Sequence, residues 1–141
     1  MNNWLPWALL SAFFAALTAI LAKLGVSDIN PNLATAIRTS VILVITWALA
    51  FCTSGKADWN SLTARAWLFL AASGLMTGLS WLCYFRALKL GDVAKVAPVD
   101  KLSVALAIIL AVIFLGEKVK PQEAVGAALI VLGVVVMVVK F

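Results

Sequence analysis

Polar and charged residues fall in short clusters along the chain, and long apolar stretches run between the clusters. A helix that spans a bilayer needs about 20 predominantly apolar residues. Five stretches meet that length, at 4–24, 32–52, 64–88, 93–115 and 121–139. Gly25 and the run Ser27, Asp28, Ile29, Asn30, Pro31 break the first from the second, and Thr53, Ser54, Gly55 and Lys56 end the second. Gly91 and Asp92 follow the third, Gly116, Glu117 and Lys118 close the fourth, and Pro121 suits the first turn of the fifth. The apolar runs are continuous and lack the alternation of lipid-facing strands, which excludes a barrel. The first stretch lacks a basic leader and is too long for the apolar part of a signal peptide, so it reads as a true span. The longest connection, 53–63, leaves no room for a soluble catalytic domain.

Composition agrees with that pattern. Of 141 residues 65% are hydrophobic and 12% charged, against about 45–50% and about 25% in soluble domains. Mean hydropathy is +1.09. The expectation is an all-α integral membrane protein with the bilayer as its surroundings. With no histidine and two cysteines, the common zinc, haem and iron–sulfur ligand sets cannot be assembled. No catalytic residue, cofactor, metal or nucleic-acid partner is therefore expected. Cys52 and Cys83 lie some 25 Å apart in depth at 1.5 Å per residue, too far for a disulfide.

The basic residues divide unevenly between the two membrane faces. Lys23, Arg86, Lys89, Lys95 and Lys140, with Arg38 and Lys101 inside their helices, lie toward one face; Lys56, Arg65, Lys118 and Lys120 lie toward the other, seven against four. That bias favours an external N-terminus only weakly, and a near balance permits insertion both ways round. Trp4, Trp7, Trp47, Trp59 and Trp67 gather at the interface opposite the larger basic group, as a headgroup belt.

Charges within spans carry the functional reading. A lysine or arginine at a helix centre costs about 2.5–3.5 kcal/mol to insert. Lys23 sits near the end of its helix and can snorkel. Arg38 lies about 9 Å into the second helix, where a water-filled cavity or a partner suits it better. Arg86, after Trp81, Tyr84 and Phe85, either faces headgroups or lines a pocket mouth. For Asp100 and Lys101 the position of Pro98 leaves two readings. A helix that starts at Asp92 is bent by Pro98 and frees carbonyls; one that starts at Pro98 puts Asp100 in its first turn, where it complements the dipole. Lys23, Arg38, Arg86 and Lys101 lie toward one face with Asp100 as the nearby counter-charge, which suits an anionic group or a lipid phosphate. No acid lies at mid-bilayer, which argues against a carboxylate-driven cation exchanger. Gly74 and Gly78, and Gly126 and Gly133, together with the stripe Ser103, Ala107, Ala111, permit close helix packing or dimer contacts.

The segments Tyr84–Gly91 (YFRALKLG) and Val96–Ser103 (VAPVDKLS), then Leu115-Gly116-Glu117-Lys118 with Gly126, Leu129, Ile130, Gly133 and Val134, resemble the EamA-type drug/metabolite transporter superfamily, in its five-helix, single-domain bacterial and archaeal branch. The resemblance covers the whole chain, 1–141, as one EamA-like membrane domain. It implies a secondary transporter of small metabolites in the prokaryotic cytoplasmic (inner) membrane, multi-pass, working by alternating access. Larger members join two such repeats in inverted topology, so the resemblance implies that this repeat is completed by an antiparallel homodimer, or by pairing with a different half-transporter. It further implies a cavity lined by helices 1, 3 and 4, with helix 5 at the dimer contact and Trp81, Tyr84, Asp100, Lys101 and Ser103 near substrate. Glu117 either caps the turn into helix 5 or pairs with Lys118 or Lys120, rather than touching a ligand. The carboxylate that small multidrug resistance transporters carry in helix 1 is missing here. A basic face suits anionic or zwitterionic solutes. The alternative is a non-transporting assembly partner or a protein that handles lipid headgroups.

Overall fold

The computed structural model describes residues 4–139, the side chains of Lys56 and Ala57 excepted. Lys140, counted above with one basic face, lies outside the described residues, as do residues 1–3 and 141. The described residues are mostly helical, with no strands among them. Five stretches are long and apolar enough to cross a membrane: Trp4–Val26, Pro31–Thr53, Ala64–Leu90, Val93–Leu115 and Pro121–Val138. The chain is a multi-pass integral membrane protein. It divides into two compact units, Met1–Leu90 and Gly91–Phe141.

In the first unit, α1 (Trp4–Val26) and α2 (Pro31–Thr53) form a hairpin. Asn30 caps α2, its side-chain oxygen accepting from the Asn32 N–H at 2.9 Å, and Pro31 fills the first turn. A short helix that the sequence pattern did not announce, α3 (Lys56–Asn60), follows, and α4 (Ala64–Leu90) packs against both α1 and α2. The Asp58 carboxylate accepts from the Gly55 N–H at 2.8 Å and holds the start of α3. Trp59 of α3 then stacks on Trp47 and Phe51 of α2, with centroids 6.0 and 5.8 Å apart.

The buried residues of this unit gather at its other end. Ala19, Ala22 and Val26 of α1, Ala34 and Thr35 of α2, and Phe85 and Leu88 of α4 are buried. Small residues on α1 and α2 let α4 approach, and Phe85 and Leu88 fill the space between. Most other large apolar side chains are exposed, as expected where lipid rather than protein covers them. The hydroxyls of α2 are satisfied locally: Thr35 and Thr39 donate to the carbonyls of Pro31 and Thr35, four residues back, at 2.9 and 2.8 Å.

In the second unit the fourth span is in three parts. Helix α5 (Val93–Asp100) begins after Asp92 and contains Pro98; Lys101 interrupts it, and α6 (Leu102–Leu110) continues into a wider π-helical turn, Ala111–Leu115. This settles the Pro98 question: the helix begins before the proline, which removes the N–H that would bond Ala94. Lys101 closes the break with a tight bond from its N–H to the Pro98 carbonyl at 3.0 Å. Gly116 ends the π-turn at φ 65°, the left-handed conformation that glycine adopts without strain. Helix α7 (Pro121–Val138) packs on α5 and α6. Its first turn is closed by Glu123, which accepts from the Lys120 N–H at 2.8 Å, so Glu123 fills the capping role assigned above to Glu117.

Candidate functional site

Arg38 lies where the three long helices of the first unit converge. Two turns into α2, it projects toward α4, and its guanidinium carbon stands 4.1 Å from the centre of the Trp81 ring and 5.6 Å from that of Phe85. Trp81, Tyr84, Phe85 and Leu88 recur at helical spacing on one face of α4. Trp81 and Tyr84 are half-buried, Phe85 and Leu88 buried. A guanidinium over an indole gains about 0.5–1 kcal/mol at an exposed site and about 2 kcal/mol when desolvated, which offsets part of the cost of holding a cation within a span. Among the described residues no carboxylate or carbonyl is bonded to Arg38. No side-chain nitrogen or oxygen of the described residues is both buried and unpaired, so the guanidinium nitrogens remain accessible.

They border a cavity of about 340 Å³. Thr18, Leu21 and Gly25 of α1, Ile37 and Arg38 of α2, and Phe85 of α4 form much of its wall. Arg38 is the one charged residue among those that line it, and Thr18 adds a hydroxyl. The wall is otherwise aliphatic and aromatic.

Two lysines tie the helices around this end. The Lys23 ammonium, at the end of α1, donates to the Leu88 carbonyl at 2.6 Å. Lys89 donates to the carbonyl of Ile29, itself a cavity residue, at 2.7 Å. Both accept a lysine where the backbone lacks a helical partner: Leu88 lies in the last turn of α4, and Ile29 in the connection after α1. Lys23 therefore does not simply snorkel to the interface.

Of the residues singled out above, the structure brings Lys23, Arg38, Trp81 and Tyr84 to one end of the first unit. Arg86 sits one position past Phe85 and is exposed. Asp100, Lys101 and Ser103 form a second cluster in the second unit. There the Lys101 ammonium stands 3.2 Å from the Asp100 carboxylate, and Ser103 donates to the Asp100 carbonyl at 2.7 Å. Gly74, Gly78, Gly126 and Gly133 meet no neighbouring side chain: a Cβ built on any of them has nothing within 4 Å. Cys52 and Cys83 are exposed. Phe85 and Thr18 were not anticipated as site residues, although Phe85 lies four residues after Trp81, on the same helix face.

The model of the EamA-like transporter family matches residues 2–139. The chain belongs to the EamA-like transporter family. It is 53% identical over 138 residues to a Sinorhizobium sp protein named "Uncharacterized transporter in cobO 3'region", covering 98% of each chain. It is also 26% identical over 141 residues to "Uncharacterized transporter YxxF" of Bacillus subtilis (strain 168), a match covering 99% of this chain and 44% of that one. No solved structure matches this chain. Within the first unit of this EamA-like transporter, the first, second and third spans line the described cavity.

Proposed function

We propose that this membrane transporter is a secondary transporter of small anionic or zwitterionic metabolites, operating by alternating access within a dimer in the cytoplasmic membrane. The observation that carries this reading is Arg38, an accessible guanidinium held by aromatic rings beside a cavity within the spans. A cation held there with no carboxylate bonded to it among the described residues is a site for an anion. Trp81 and Tyr84 belong to the same proposed site, Lys23 holds its wall, and Arg86, Asp100, Lys101 and Ser103 are further candidate contacts along the transport path. The two units act in this reading as one membrane domain and as half of a transporter, which the Bacillus relative, more than twice as long as the match, supports. The Sinorhizobium relative, of matching length, supports a protein that finds its second half in another chain. No catalytic chemistry is assigned.

Uptake or counterflow of amino and organic acids by the purified protein in liposomes tests this. Solute flux that falls at least tenfold in Arg38→Gln is the expected result. Flux that Arg38→Gln and Lys101→Gln leave unchanged refutes the site, and headgroup translocation without solute flux refutes solute transport.

A further inference from the structure

Net charge, donor geometry and wall chemistry in the Arg38 cavity narrow its ligand further than "anion". Among the described residues that line it, the wall offers one positive charge and no negative one. A monoanion is neutralised one for one. A phosphate monoester, near −2 at neutral pH, keeps an uncompensated charge against leucine, isoleucine and phenylalanine. An amino acid brings an ammonium for which the lining side chains supply one hydroxyl, Thr18, and no carboxylate. Leaving that ammonium poorly paired in an apolar wall is costly.

The aromatic contact adds a geometric filter. The guanidinium carbon stands 4.1 Å over the Trp81 ring, and a guanidinium that meets the ring with its face keeps the N–H donors in its plane for an acceptor. A planar fork of donors matches a carboxylate edge-on, through two parallel bonds. The volume of about 340 Å³ falls at the small end of the range of about 300–1,000 Å³ for small-molecule sites. We propose that the Arg38 cavity binds a small monocarboxylate with an apolar tail, its carboxylate on the guanidinium and its tail against Leu21, Ile37 and Phe85. This rests on the reading of Arg38 as the substrate site and specifies the substrate class for it.

The test uses the full chain in lipid nanodiscs and equilibrium binding of radiolabelled 4-methylpentanoate, with empty nanodiscs as the blank. Competitors share the branched tail and differ in the head: 4-methylpentanamide is neutral, leucine zwitterionic and 3-methylbutyl phosphate dianionic. The expected result is saturable binding that weakens at least tenfold in Arg38→Gln and severalfold in Arg38→Lys, with each competitor at least tenfold weaker than the unlabelled acid. Arg38→Lys keeps the charge without the fork, and serves if the glutamine variant does not fold. Competition by leucine or the phosphate that matches or exceeds the acid, and that Arg38→Gln abolishes, overturns the monocarboxylate class and leaves the Arg38 site standing. Equal competition by the amide shows that the carboxylate is not read. Binding that both variants leave unchanged overturns the site along with the class, and no saturable binding of the acid overturns the proposal.

Discussion

Arg38 shows what a single residue's position in the sequence can and cannot say. Its depth in an apolar run marks it as costly, and that much is legible from counting residues along α2. Its partners are not legible, because Trp81 and Phe85 lie more than forty positions away and meet it only when α2 packs on α4. The pairing makes Trp81 part of the proposed site through the guanidinium it orients. Trp81→Ala removes the ring and is expected to weaken binding of 4-methylpentanoate about tenfold, equivalent to about 1.4 kcal/mol and between the exposed and desolvated values of a cation–π contact. Trp81→Phe keeps a π face and is expected to retain most of the affinity. Equal affinities for the two variants, read in the same nanodisc assay, would show that the ring does not hold the guanidinium for ligand.

At the scale of elements, run length and continuous apolarity specify the five spans, because bilayer thickness leaves little freedom in helix length. Local exceptions were harder to read. Pro98 left two helix starts open, and the structure chooses the earlier one, with Lys101 taking up the break. The short helix α3 rests on a carboxylate–backbone bond and an aromatic stack, neither of which has a period. Glu123 rather than Glu117 caps α7, since the cap requires a side chain three residues past Lys120. Helix ends also explain Lys23. The last carbonyls of α4 lack intrahelical partners, and a lysine from α1 supplies one while complementing the dipole. Lys23→Met keeps the stem and removes the donor. It is expected to destabilise the protein by about 1.5 kcal/mol, the low end for a bond to a charged group, seen as a lower Tm in detergent with unaltered affinity for 4-methylpentanoate. A fall in affinity at unchanged Tm would instead place the ammonium on the ligand.

The scale of the whole molecule turns on how five spans become a transporter. Five spans are an odd number, so in the proposed dimer a second copy inserted in the same direction repeats the first rather than inverting it. An inverted partner then requires either a different chain or the same chain inserted the other way. The charge distribution permits the second. Seven basic residues against four, two of the seven lying within spans, is a small bias, and orientation is set chiefly by the difference in basic residues flanking the spans. The helix surfaces left open in the single chain, including the unpacked glycine faces of α4 and α7, allow close approach by another helix. A cysteine added at the C-terminus of a variant with Cys52 and Cys83 replaced by serine provides the measurement. In intact cells, a membrane-impermeant maleimide is expected to label about half of the chains, and permeabilisation the rest. Adding three lysines to the connection at 53–63 should then drive the population to a single orientation and abolish transport, and transport should return when a copy biased the opposite way is co-expressed. Labelling from one face alone in the unbiased chain would rule out dual insertion and direct the search to a different partner chain.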